Sequence, residues 1–156
     1  MEKIDRELLI KEISSRLYYG IKVQVLGWDE EKGEVEVPLK VYSINTDGYL
    51  SFEYNHYCVE TVYVEDCRLY LRPMSSMTEE EFENLKEYSE LKYEQLDLAS
   101  YQSETYKCLD FYLSEVPSYV VILVFDWLNA HHFDYRGLIE KGLAIEVTEE
   151  NNSYKN

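Results

Sequence analysis

The fold is decided by one stretch of the chain, residues 116–147: VPSYVVILVFDWLNAHHFDYRGLIEKGLAIEV. It contains the longest apolar run of the sequence, residues 119–125, which Trp127 and Leu128 extend. A segment that is apolar on nearly every side is usually buried, and about 10 residues are too few for the roughly 20 of a membrane span. We therefore expect a core helix at residues 118–131. A buried strand is the alternative for the apolar run, since four of its seven side chains are β-branched.

The second half of this stretch contains the signals of a short helix. Asp134 stands where a residue would cap the first turn, and Gly142 stands where a glycine would end the helix. Arg136 lies among aromatic and aliphatic neighbours. This setting predicts a structural ion pair, buried or half-buried, with Asp126 or Asp134, and a binding role is the alternative.

The adjacent histidines His131 and His132 are the nearest approach to a metal or acid–base cluster. Neighbouring side chains on a helix point about 100° apart, so two adjacent histidines do not chelate one ion together. We expect a structural role at the helix end, where an imidazolium interacts favourably with the dipole. The sequence predicts no catalytic residues, no metal site and no cofactor. It lacks phosphate-binding glycine loops and the common hydrolase motifs.

The N-terminal half changes from a helical period to a strand period. A helix is expected from Asp5 to Gly20, with Leu9 and Ile13 in its apolar stripe and Glu12 facing water. Alternating apolar residues then predict five strands. These are expected at residues 21–25, 35–41, 49–54, 57–64 and 68–72. Pro38, inside the second strand, indicates an edge or a bulge.

Helical signals return after Pro73. Thr78 and Glu81 have the spacing of a capping box. Phe82, Leu85 and Tyr88 are expected on the inner side of the helix that follows, and a further helix is expected at residues 104–115. The glutamates of this region are candidate interaction residues. They are Glu83, Glu87, Glu90 and Glu94.

These elements predict an α+β protein. Its parts are an N-terminal helix, a small curled antiparallel sheet of five strands and a C-terminal helical lobe. Short, closely connected strands resemble the layout of SH3-like barrels. We place a helix and β lobe at residues 1–77, a helical lobe packed on it at 78–147, and a frayed polar tail at 148–156.

The net charge of −16 restricts the partners. Binding to nucleic acid or to an anionic membrane surface depends on clustered Lys and Arg, which this chain lacks. A basic protein partner fits the charge, and a homo-oligomer is left open. Three cysteines without close spacing (Cys58, Cys67 and Cys108) and a charged N-terminus predict a reducing, cytoplasmic setting.

Tyrosine is unusually frequent, with 16 residues. Several tyrosines stand at outward positions of the predicted strands. They are Tyr49, Tyr54, Tyr57 and Tyr63. Tyrosine is enriched in protein contact surfaces, so we take these four as candidate interaction residues. The alternative is that small sheets favour tyrosine for its strand propensity.

Two stretches resemble a group of small uncharacterised proteins of phages and prophages of gut anaerobes. They read YLRPMSSMTEEE at residues 70–81 and DWLNAHHFDYRGLIEKGLA at residues 126–144. The resemblance implies a phage protein in a bacterial cytoplasm and implies no activity. We expect a non-enzymatic protein that acts through protein contacts. An acidic decoy inhibitor of a nucleic-acid-binding host defence protein is the alternative, and a nucleotide-handling enzyme is a third, weaker hypothesis.

Overall fold

The computed structural model describes residues 3–52, 62–89, 102 and 116–155. The chain has an N-terminal helix, a curled mixed sheet of six strands that forms a half-barrel, and C-terminal helical structure. The α+β class is as predicted. The sheet differs from the prediction in having six strands instead of five and one parallel pair.

Helix α1 covers Lys3–Arg16. Leu9 and Ile13, one turn apart, are buried in the core as their spacing predicts. The chain continues as a 3-10 turn, Leu17–Tyr19, whose carbonyl at Leu17 accepts a hydrogen bond from the N–H of Gly20. Gly20 has a φ of 74°, a left-handed conformation that glycine adopts without a steric penalty.

The six strands are Lys22–Asp29 (β1), Gly33–Ile44 (β2), Tyr49–Phe52 (β3), Val62–Tyr63 (β4), Arg68–Leu71 (β5) and Ala144–Glu146 (β6). They are ordered β4-β3-β2-β1-β5-β6. Buried and exposed residues alternate along β1 and the second half of β2, which is why a period of two predicted them. The short strand β6 was not predicted, because three residues are too few to show an alternation. It pairs in parallel with β5.

Pro38 lies within β2, opposite Gln24 of β1. Among the described residues, β2 pairs with β3 only from Val41 onward, and its register shifts between Val41 and Ser43. Pro38 therefore lies three residues before an irregularity in the pairing of β2 with β3. The edge or bulge at Pro38 stays a prediction, because residues 53–61, which follow β3, lie outside the described residues.

Helix α2 covers Glu79–Ser89 and begins with the predicted capping box. The hydroxyl of Thr78 accepts from the N–H of Glu81 at 3.2 Å, and the Glu81 carboxylate accepts from the N–H of Thr78 at 3.0 Å. Arg72 binds the same carboxylate at 2.6 and 3.0 Å. Burial alone would raise the pKa of Glu81, but the bonds from Arg72 and Thr78 outweigh it and lower that pKa.

Helix α3 covers Ser118–Ala130, so the apolar run is a helix and not a strand. The helix packs against α2. Its buried residues include Val120, Val124, Trp127 and Leu128. Trp127 is only 3% exposed, and its indole N–H donates to Asn84 of α2 at 2.8 Å.

Residues 135–142 form successive turns, so the helix predicted there is wrong. The Asp134 carboxylate accepts from the N–H groups of Leu138 at 2.9 Å and Ile139 at 2.8 Å. An N-cap binds the amides two or three residues ahead. Asp134 binds those four and five ahead, so it closes a wide turn that leads into β6.

The tail from Thr148 is docked, although its polar composition predicted fraying. The hydroxyl of Tyr154 accepts from the N–H of Lys22 at 3.1 Å and donates to the carbonyl of Tyr70 at 2.9 Å. Its ring stacks on His132 with 4.1 Å between centroids. One aromatic side chain thus fixes the tail to β1 and β5.

The buried side chains form two hydrophobic clusters. One joins the sheet to α1. The other lies between α2, α3 and the turn after α3. The division of the chain into domains at residues 77 and 78 stays a prediction. The helix predicted at residues 104–115 lies outside the described residues.

Candidate interaction surface

One side of α3 points away from the core. Tyr119, Ile122 and Asp126 are three and then four residues apart, a spacing that puts them on the same side of a helix. Tyr119 is 56% exposed and Ile122 is 67% exposed. Large apolar side chains that are exposed together mark interaction surfaces more often than single exposed residues do.

Asp126 accepts hydrogen bonds from two tyrosines of other elements. The hydroxyl of Tyr19, in the turn after α1, donates to Oδ1, and the hydroxyl of Tyr88, at the end of α2, donates to Oδ2 at 2.7 Å. Tyr18 places its ring edge-on against Tyr19 with 5.3 Å between centroids. One carboxylate therefore connects three segments that are far apart in sequence.

We call these residues the tyrosine surface. It consists of Tyr18, Tyr19, Tyr88, Tyr119 and Ile122 around Asp126. Tyr18, its most exposed member, has 93% of its surface accessible. Tyr19 and Tyr88 are oriented by hydrogen bonds to Asp126, so these two side chains would lose little freedom when a partner contacts them.

The hydrogen bonds to Asp126 also define the chemistry of this surface. The bond to the carboxylate is the main cause that raises the pKa of Tyr19 to about 12, and burial adds to it. The same bond raises the pKa of Tyr88. Both phenols thus remain protonated donors at neutral pH. The arrangement suits molecular contact better than general-base or nucleophilic catalysis.

Of the four tyrosines predicted from sequence, the structure brings two together. Tyr49 of β3 and Tyr63 of β4 are cross-strand neighbours with 4.1 Å between ring centroids, and the hydroxyl of Tyr63 donates to that of Tyr49. This bond raises the pKa of Tyr63. Tyr54 and Tyr57 lie outside the described residues.

The Tyr49–Tyr63 pair is separate from the tyrosine surface. It lies in the same part of the sheet as Asp47 and Glu65. Arg6, near the start of α1, donates hydrogen bonds to the carbonyl of Asp47 and the carboxylate of Glu65. Tyr19 follows the other end of α1. Arg6 and Tyr19 are about 20 Å apart along the helix axis, from the rise per residue.

Of the four glutamates predicted as interaction residues, two lie in the described part of α2, and one of these two forms an ion pair. Glu83 and Glu87 are exposed, and Glu83 pairs with Lys86 at 2.5 Å. Glu90 and Glu94 lie outside the described residues.

Tyr88 was expected on the inner side of α2 but is 46% exposed, and Ser89 is buried next to it. Phe82, Leu85 and Ser89 have the spacing of one helix face, and Tyr88 lies beside that face with its hydroxyl bonded to Asp126.

Arg136 pairs with neither Asp126 nor Asp134, so that prediction is wrong. Its Nε lies 2.6 Å from Oε1 of Glu12. The expectation that Glu12 faces water is also wrong, because its side chain has no exposed surface. Periodicity on α1 could not show that the C-terminal turn covers this face of the helix.

His132 is neutral, which corrects the expected imidazolium at the helix end. Burial, followed by the charge of Arg16, lowers the pKa of His132 to about 3. The residue has a φ of 58° and lies just after α3, stacked on Tyr154. The ring of His131 stacks on Trp127 with 3.8 Å between centroids. Both rings therefore pack against neighbouring aromatic side chains.

Other site chemistry has little support in the described part of the chain. Burial raises the pKa of the Cys67 thiol to about 12, so it stays protonated and is a poor nucleophile. No group of three or more His, Cys, Asp or Glu side chains in residues 3–52, 62–89 and 116–155 could hold a metal ion. Over the same residues, no helix has both the length and the apolar character needed to cross a membrane.

None of the tyrosine surface is among the four tyrosines predicted as candidate interaction residues. Part of it was detectable, because Tyr119, Ile122 and Asp126 follow a helical period once residues 118–130 are taken as a helix. The meeting of Tyr19 and Tyr88 at Asp126 is a long-range contact without a local signal.

Comparisons with known proteins identify no relative of the chain. No family model, no curated protein and no solved structure matches it. The case for a function therefore rests on the surface geometry and charge described above.

Proposed function

We propose that this chain is a non-enzymatic binding protein that recognises another protein through the tyrosine surface. The observation that carries the proposal is the pair of tyrosine hydroxyls, Tyr19 and Tyr88, held on the single carboxylate of Asp126. Exposed Tyr18, Tyr119 and Ile122 extend this centre into a larger contact area. Rigid aromatic groups of this kind supply binding area at a low cost in side-chain entropy.

The net charge of −16 supports a basic partner over an acidic one. The proposal includes a phage or prophage setting in a bacterial cytoplasm, which rests on the two sequence stretches and on nothing in the fold. The acidic decoy hypothesis stays a prediction. Glu83 is paired with Lys86 and Glu81 with Arg72, which leaves less free negative charge on α2 than the sequence suggests.

The test compares variants of the full chain as bait in lysate of a gut anaerobe that carries a related prophage. Tyr18→Ala combined with Ile122→Ser removes contact area and leaves the bonds to Asp126 intact. We expect the protein that the wild type retains to bind this double variant at least tenfold more weakly, as measured by calorimetry with the purified partner. Circular dichroism checks that the variant folds.

Tyr49→Ala is the matched control, because Tyr49 is an exposed tyrosine of the sheet and lies far from Asp126. It should retain the partner with wild-type affinity. Loss of binding in Tyr49→Ala together with full binding in the double variant would move the contact to the β3–β4 tyrosines and refute the proposal. A specific partner bound equally by all three proteins would also refute it.

A further inference from the structure

Among the described residues, strand β1 has an edge without a partner strand near its end. It pairs with β5 only at Val23↔Leu69 and Gln24↔Arg68, whereas its pairing with β2 continues to Asp29. Arg68, opposite Gln24, is the first residue of β5, and beyond it β1 borders a cavity of about 370 Å³. Residues of β1, α1 and the start of β5 line it, among them Val25, Leu9 and Cys67.

Pro38 determines which groups of β1 face this edge. Proline has no N–H, so Gln24↔Pro38 is a pair without mutual hydrogen bonds. Bonded and non-bonded pairs alternate in an antiparallel ladder. The N–H and C=O groups of Leu26 and Trp28, two and four residues further, therefore also point away from β2.

Two hydrogen bonds confirm this alternation. The N–H of Lys22, which is in phase with Gln24, donates away from β2 to the Tyr154 hydroxyl at 3.1 Å. The carbonyl of Ile21, which is in the opposite phase, accepts from the N–H of Val41 in β2 at 3.0 Å. In the described part of the chain, no strand or side chain pairs with the outward main-chain groups of Leu26 and Trp28.

This edge lacks the usual protection against strand addition. Exposed edges are commonly protected by Lys, Pro or a bulge. At this edge of β1 the residues are Leu26, Gly27 and Trp28, none of which is Lys or Pro. The side chains of Leu26 and Trp28 are 55% and 57% exposed, so main-chain and apolar groups are offered together.

The charge around the edge is strongly negative. Glu36 and Glu34 lie directly across from Leu26 and Trp28 on the outer face of the hairpin. The cavity is lined by three carboxylates, Glu36, Glu65 and Asp66, and by one cation, Arg68. Of the three carboxylates, Glu65 is also paired with Arg6. Lys or Arg side chains on an added strand would lie near these carboxylates and could also stack on Trp28.

We propose that the edge of β1 at Leu26 and Trp28 receives an extended segment of another protein, rich in Lys or Arg, as an additional strand. Strand addition of this kind draws affinity from main-chain hydrogen bonds and specificity from alternate side chains. A second copy of this chain is disfavoured, because the two acidic hairpins, residues 29–36, would be brought together. This surface and its test are independent of the tyrosine surface.

The test is amide hydrogen exchange by NMR on the full chain. In the free protein, the amides of Leu26 and Trp28 should exchange at least tenfold faster than those of Val25 and Gly27, which bond to β2. The probe is a capped octapeptide of alternating Lys and Val. At saturation it should slow exchange at Leu26 and Trp28 at least tenfold, and the peptide with Glu in place of Lys should leave it unchanged.

The charge requirement is tested with Glu34→Lys combined with Glu36→Lys, two exposed positions that leave the main chain of β1 intact. We expect this variant to bind the Lys peptide at least tenfold more weakly, and Leu26→Pro should abolish protection by removing one outward N–H. Equal protection by both peptides, or none by either, would overturn the proposal. So would protection that rises with protein concentration alone, since a second copy would then occupy the edge.

Discussion

Glu12 and Arg16 form an ion pair within α1 in which neither side chain has any exposed surface. The Arg16 guanidinium also donates to the carbonyl of Phe133 at 2.7 Å. Arg136 approaches the second oxygen of Glu12 from the turn after α3. The ion pair on α1 therefore holds the turn that follows α3. It connects the N-terminal helix to the C-terminal part of the chain.

Removing one member of this pair should be costly. Glu12→Gln leaves the buried guanidinium of Arg16 without its counter-charge, and we expect a loss of about 3–5 kcal/mol in the free energy of unfolding. Urea denaturation measures it. Glu7→Gln, at an exposed position of the same helix, should change stability by less than about 0.5 kcal/mol.

The net contribution of the whole Glu12–Arg16 pair to the free energy of unfolding need not be large. Replacing both residues, Glu12→Leu with Arg16→Met, removes both charges from the interior, so the loss should be smaller than the sum of the two single losses. Strictly additive losses in that cycle would contradict the coupling that the geometry implies.

The packing of α3 should depend on Trp127. Trp127→Ala removes a buried indole and leaves Asn84 without its donor, and we expect a loss of about 3–5 kcal/mol. The chain offers a matched control in its only other tryptophan, Trp28, which is 57% exposed. Trp28→Ala should lower the melting temperature far less, and similar melting of both variants would contradict the core position of α3.

The capping box makes a smaller contribution that can be measured separately. Thr78→Ala removes the acceptor for the N–H of Glu81, and we expect a loss of about 1 kcal/mol. Ser75→Ala, three residues before Thr78, removes an exposed hydroxyl and should be nearly neutral. If the two variants lose equal stability in chemical denaturation, the box does not stabilise α2.

Stability should fall as the pH falls, because His132 is buried and neutral. The folded pKa is about 3 and the ordinary value is 6.5, so between these values the unfolded chain binds more protons. The contribution of the neutral His132 side chain to the free energy of unfolding is fully present above pH 6.5. Between pH 7 and pH 5 it should decrease by about 2 kcal/mol from this group alone.

The pH effect is tested by unfolding His132→Asn over the same range. Asparagine tolerates the positive φ of this position and does not titrate, so the variant should show a flatter dependence of stability on pH than the wild type. His131→Asn, which keeps His132, should preserve the wild-type dependence. An unchanged slope in His132→Asn would show that other groups control acid stability.

Local patterns in the sequence determined several features of this protein. The apolar run of α3, the stripe of Leu9 and Ile13, the alternation in β1 and β2 and the capping box at Thr78 all depend on neighbours within a few residues. Their periods and caps follow from backbone geometry alone. These signals were sufficient for the α+β class and for most of the element positions in the described residues.

Tertiary structure decided the features that depend on residues far apart in sequence. Glu12 is buried because Arg136 closes over it, β6 exists because β5 offers it an edge, and Asp126 orients tyrosines from two other helices. Among the described residues, the open edge of β1 likewise arises only because β5 begins at Arg68, opposite Gln24. Such contacts have no signature within a short window, since their free energy depends on which distant groups the completed fold brings together.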